Sequence, residues 1–175
     1  MIFLSAKPLD AGGFARFGAL LDAASRPGTV VNEGRGRRFD AATTLQHGAE
    51  AAIPALALYR MQASPWPVAV RLMERHRHSA QMFLSLSGGQ FLVVAARAGH
   101  GGLPDLGTAA AFIGEPGQAI VYAPGIWHLP IVSLLEAGTF AMMMWETGGP
   151  GDCDVWPLDP PLSVQLQASK PETMP

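Results

Sequence analysis

Glu74, His76 and His78 stand two residues apart within the stretch Leu72 to Gly88, LMERHRHSAQMFLSLSG. On an extended strand alternate side chains share a face, so this spacing points a carboxylate and two imidazoles to one side. Gln81 and an apolar run, Met82 to Leu86, follow directly. Placing such groups against apolar residues is costly unless they pair, bind a ligand or stay in water. Two kinds of chemistry suit the set: proton transfer by carboxylate and imidazole, and ligation of a divalent metal. A blander reading competes, with Glu74 pairing Arg75 or Arg77 and His78 solvated at a strand end.

His128 is the second source of chemistry. It follows the apolar run Gln118 to Tyr122 and the turn Pro124-Gly125, a corner between strands. In a barrel such a corner faces the mouth and can meet a distant strand, so Glu74, His76 and His128 are the catalytic candidates. Arg38 and Arg60, each beside apolar residues, are candidate clamps for a substrate carboxylate. Cys153 lies between Asp152 and Asp154, whose charges disfavour its thiolate and so a nucleophilic role. His100 sits in a Gly-rich loop and reads as solvated, His47 has no evident place, and Met142 to Trp145 read as core.

The elements that must position these groups are short. Ile2 to Leu4 reads as a strand, and Asp10 as the N-cap of a sizeable helix with Phe14, Phe17 and Leu21 on one face, packed outside a sheet. Strand candidates follow at Val30-Val31, Ile53 to Tyr59, Val68 to Met73, Gln118 to Tyr122 and Thr139 to Trp145. Residues 81 to 96 read as a hairpin turning at Gly88-Gly89. Ala109 to Ile113 fits either a strand or a short helix. Many short strands with little helix indicate a mainly β chain, a sandwich or barrel. One domain over residues 1–160 is expected, then a Pro-containing tail, 161–175, with a disordered end.

Composition removes several classes of function. The 175 residues suit one domain, and 49% hydrophobic content suffices for a core. A net charge of -2 offers no footprint for nucleic acid or an anionic membrane. No apolar run approaches the roughly 20 residues of a membrane helix, and no signal-like leader is read at MIFLSAKPLD. The single cysteine, Cys153, precludes an intrachain disulfide and fits the cytoplasm.

Two resemblances sharpen this. His76-x-His78, Gln81 and Gly88 resemble the first motif of the cupin superfamily, with Gln81 in place of the acid. Gly125-x-x-His128 resembles the second, and a metal held there would take His76, His78 and His128. More of the chain is covered by a second likeness. Glu74-Arg75-His76, Gln81-x-Phe83, Tyr122 with Trp127-His128-x-Pro130, and Asp152-Cys153-Asp154-Val155 resemble the ureidoglycolate lyase family. Asn32-x-Gly34, Arg38-Phe39, Arg60 and Pro8-Leu9 add to it, in the same order. That resemblance implies a cupin-like β-barrel (a double-stranded β-helix), usually a homodimer. The implied activity splits ureidoglycolate into glyoxylate and urea in allantoin degradation.

Ureidoglycolate carries a hydroxyl, a carboxylate and the urea nitrogen on one carbon. Its elimination needs a base for the hydroxyl and an acid for the departing nitrogen, with no redox cofactor and no required metal. Glu74 or His76 would be the base and His128 or a water the acid. Arg38 or Arg60 would hold the carboxylate, Asn32 and Gln81 the ureido group, with Tyr122 and Trp127 lining the substrate site. Two further readings stay open: a metal-dependent cupin isomerase or dioxygenase, and a non-catalytic small-acid-binding domain.

Overall fold

A computed structural model describes residues 2–25, 27–40 and 43–167 of the chain. Strand β1 (Phe3–Pro8) leads into the helical turn α1 (Ala11–Phe14) and then β2 (Gly18–Leu21). The hairpin of β3 (Thr29–Val31) and β4 (Gly36–Arg38) stands as a separate two-stranded sheet. Next come β5 (Ile53–Met61), β6 (Ala63–Ser64), β7 (Val68–Arg75), β8 (Gln81–Ser87) and β9 (Phe91–Ala96). The last are β10 (Ala110–Gly114), β11 (Ala119–Tyr122), β12 (Trp127–His128), β13 (Val132–Leu134), β14 (Gly138–Glu146) and β15 (Asp154–Leu166).

These strands make a closed barrel. An eight-stranded sheet runs β10-β1-β15-β7-β12-β9-β13-β6, and β10 also pairs with β9, which closes a ring of six strands. A five-stranded sheet, β2-β11-β8-β14-β5, packs across from β9. Strand β9, FLVVAA, is buried at every position because both faces meet apolar cores. Phe91, Val93 and Ala95 face Phe83, Ile120 and Phe140 of the five-stranded sheet. Leu92, Val94 and Ala96 face Val70, Met73, Trp127 and Leu162 inside the ring. A strand buried on both faces reads as a continuous apolar run, which is what this segment shows.

Two expectations change. The N-terminal helix is present and Asp10 caps it, its carboxylate accepting from Gly13 N at 2.8 Å. It lasts one turn rather than reaching Leu21, because residues from Gly18 onward pair with β11. Phe14 and Phe17 go into the core, where Phe14 packs edge-on to Phe112. Residues 81 to 96 are two strands but not a hairpin: β8 pairs with β11 and β14, β9 with β10, β12 and β13. Gly88, at φ 100°, turns the chain from one sheet to the other against the backbone of Ala137 and Gly138, where a Cβ would collide.

The ambiguous segment at Ala109 to Ile113 is strand β10. Strand β15 continues past the expected boundary at 160, pairing with β7 and, from Ser163 to Leu166, with β1. Its prolines concealed it, and the ladder shifts register between Pro157 and Leu162, where they lie. The expected disorder at the extreme C-terminus falls outside the described residues.

Candidate active site

Strand pairing assembles the site. His128 on β12 lies opposite Glu74 on β7, so their side chains share a face. Gly125, at φ 80°, makes the turn before β12 and donates its N–H to the His76 carbonyl at 2.8 Å. Alternation on β12 then sends His128 toward the face of Gln81 and Tyr122, and Trp127 into the ring core.

The contacts are specific. His128 Nε2 is 3.3 Å from Glu74 Oε1 and 3.0 Å from Gln81 Oε1, and its Nδ1 lies 3.1 Å from the Ile126 carbonyl. Both ring nitrogens thus face oxygen acceptors. Tyr122 stacks on the His128 ring at 4.0 Å. His76 is 7% exposed, and its Nδ1 lies 2.7 Å from the Asp152 carbonyl. His76 Nε2 is buried and has no hydrogen-bond partner among the described residues. A buried polar atom in that condition carries a desolvation cost that a ligand would relieve.

Glu74, His76 and Gln81 line a cavity of about 230 Å³ with Tyr59, Met142 and Met144. Glu146, Asp152 and Cys153 complete its wall. Burial pushes the Glu74 carboxyl up, but the hydrogen bond and charge of His128, with His76, outweigh it and hold it below the usual range. Burial lowers His76, and the neighbouring His128 adds to this. Both shifts favour an ionised carboxylate beside a neutral imidazole. Burial raises the Cys153 thiol, as do Glu74 and Asp154, in keeping with no nucleophilic role.

The other expected residues are scattered. His78, further past the end of β7 than His76, leaves the shared face, and its Nδ1 meets Glu50 Oε1 at 2.6 Å. Arg75 and Arg77 both bond Asp154, which leaves Glu74 to His128. Arg38 pairs with exposed Asp40 and borders a different cleft, with Pro27, Gly28 and Phe39. Tyr59 faces inward against Phe83, so Arg60, its neighbour on β5, faces outward and away from the cavity. Asn32 is exposed on the turn between β3 and β4. Trp127 donates its Nε1–H to the Gly102 carbonyl at 3.0 Å and stacks under Arg75. Nothing in the spacing of Tyr59, Glu146 and Asp152 points to the site, since only the tertiary fold brings them to His76.

The carboxylate oxygen of Glu74 and one nitrogen each of His76 and His128 lie within 4.8 Å of one another. That oxygen–nitrogen set, with a bare buried Nε2 and a second imidazole nitrogen held by a carbonyl, fits a divalent transition metal. Its third member is Glu74, where His78 was expected. The class follows from the geometry: a cupin-like β-barrel with a buried carboxylate–imidazole site. One solved structure supports that fold, a dTDP sugar isomerase from Desulfovibrio desulfuricans G20, at a TM-score of 0.50 and 13% identity, covering 81% of this chain and 85% of the other.

The model of the ureidoglycolate lyase family matches residues 1–165, and the chain belongs to that family. It is 33% identical to a putative ureidoglycolate lyase of Agrobacterium fabrum over 96% of this chain and 98% of that one. It is 31% identical to the ureidoglycolate lyase of Azotobacter vinelandii, over 88% of this chain and 91% of its relative.

Proposed function

We propose that this protein is a ureidoglycolate lyase, a carbon–nitrogen lyase that releases urea and glyoxylate from ureidoglycolate in allantoin degradation. The observation that carries the reading is His76 Nε2, buried, unpartnered among the described residues and beside an ionised Glu74 on a small cavity, in a chain of this family. His76 Nε2 takes the hydroxyl proton, the carbonyl of glyoxylate forms, and the carbon–nitrogen bond breaks with its electron pair going to nitrogen. The imidazolium returns the proton to that nitrogen, which sits on the same carbon, so urea leaves neutral and atoms balance. Glu74, backed by His128, stabilises the transient imidazolium. Gln81 orients the ureido group.

Among the described residues, no arginine or lysine lines the cavity. In a metal-bound form Glu74, His76 and His128 would hold a divalent ion that would supply positive charge to polarise a substrate oxygen, and His76 Nε2, its lone pair then given to the ion, would not be the base. The test is release of glyoxylate and urea from ureidoglycolate, before and after exhaustive chelation, on protein whose metal has been counted. Release of both products in equal amounts is expected. No release from either form would overturn the reading, whereas loss on chelation with recovery on adding one metal would assign the three residues as ligands.

A homodimer in the cytoplasm completes the proposal. The single cysteine supports the location. The dimer is supported by the outer face of the five-stranded sheet, where Leu56 is 79% and Leu58 70% exposed on edge strand β5. Apolar side chains so exposed on one strand suit a second copy of the same face. Light scattering should give twice the chain mass for the wild type and the single mass for Leu58→Glu. A monomeric wild type would remove the dimer from the proposal.

A further inference from the structure

We propose that the segment Asp152-Cys153-Asp154 is a positioning device for His76, fixing which of its ring nitrogens carries the proton. The Asp152 carboxylate is turned back on its own chain. Its Oδ1 accepts from Thr147 N at 2.7 Å, and its Oδ2 from Gly148 N and Gly149 N at 2.9 and 3.1 Å. Those three bonds close the turn over residues 147–152 and leave the Asp152 main-chain carbonyl facing His76 Nδ1 at 2.7 Å. A carbonyl only accepts, so Nδ1 carries the hydrogen and, in the neutral ring, Nε2 keeps its lone pair.

Two residues on, Asp154 secures the flanks. Its Oδ2 accepts from Arg75 Nε at 2.9 Å, and its Oδ1 from Arg77 Nη2 at 3.0 Å. Arg75 and Arg77 are the two chain neighbours of His76, and Asp154 lies opposite Arg75 in the β7–β15 register. One three-residue segment therefore ties down the residues on both sides of His76 and sets its tautomer. Asp152 is a positioning residue: its side chain acts through its own carbonyl. The effect on turnover rests on the proton-transfer role given to His76 above, but the tautomer does not.

The test is nitrogen NMR of histidine-labelled, chelated, resting protein, read beside kcat and KM. Wild-type His76 should show a protonated Nδ1 and a bare Nε2. In Asp152→Ala the two signals should move toward an average, with kcat down about 10–100-fold and KM little changed, the scale of losing a hydrogen-bond partner behind an active imidazole. Asp152→Asn, keeping one acceptor oxygen, should fall between. A wild-type ring protonated at Nε2 would overturn the proposal without any variant. An Asp152→Ala protein that folds and keeps both the split signals and kcat would also overturn it. Should that variant not fold, the wild-type spectrum and Asp152→Asn decide. Because the spectrum is taken without substrate, an inactive protein with the expected tautomer would count against the lyase reading alone.

Discussion

Alanine in place of His76 should lower kcat for ureidoglycolate about 10²–10⁴-fold, the usual scale of a positioned acid–base group. The substitution removes the bare Nε2 and leaves the strands intact, since the ring's hydrogen bond goes to a loop carbonyl, Asp152 O. Far-ultraviolet circular dichroism and the unfolding temperature should therefore stay near wild type while turnover collapses. Glu74→Gln should also slow the reaction, because the amide keeps the shape and removes the charge that stabilises an imidazolium. Turnover unchanged in both variants would sink the assignment of the site. A rise in KM with kcat preserved would instead give His76 a binding role.

Asp154→Ala should produce the largest loss of stability. Arg75 has an 11% exposed side chain and Asp154 a 22% exposed one, and their bond at 2.8 Å is largely shielded from water. Among the described residues, removing the carboxylate leaves the guanidinium with only the Gly102 carbonyl and the face of Trp127. Breaking such a pair by deleting one partner costs roughly 2–3 kcal/mol, below the fully buried case because the partners retain some water. For a chain of this size that is a fall of roughly 5–10 °C in Tm.

The pH dependence has a definite sign. The bond from Arg77, with Arg75 adding to it against the effect of burial, holds the Asp154 carboxyl below the ordinary value of 3.8. A carboxyl lowered on folding contributes stability that is complete above its unfolded value and lost as pH falls through its folded value. The Tm gap between wild type and Asp154→Ala should thus be full at neutral pH and close below about pH 3.8. A gap that did not narrow in acid would show that packing, not the ion pair, carries the effect.

Much of the candidate site's local geometry is legible in the sequence. Glu74 lies on β7 and His76 is the first residue past its end, so the spacing of two still sends both side chains to one side, and the Pro-Gly turn puts His128 at a corner. Gln81 and the core methionines Met142 and Met144 were legible for the same reason. Family resemblance supplied the barrel, which periodicity alone left undivided from a sandwich.

What the tertiary structure decided was partnership. Whether Glu74 bonds Arg75, Arg77 or His128 depends on which strand lies beside β7, and β12 comes from more than fifty residues away. Arg60 reads like a substrate clamp until the register of β5 turns Tyr59 inward and Arg60 out. His78 lies further past the end of β7 than His76, where the chain has left the extended course of the strand, and Glu50 takes it. Only the end of strand β15, residues 161–166, reads as tail because of its prolines, whereas its start carries Asp154 and the turn before it carries Asp152. Spacing along a chain sets which way a side chain points, whereas what it meets is set by contacts whose closure entropy is met only by the folded core.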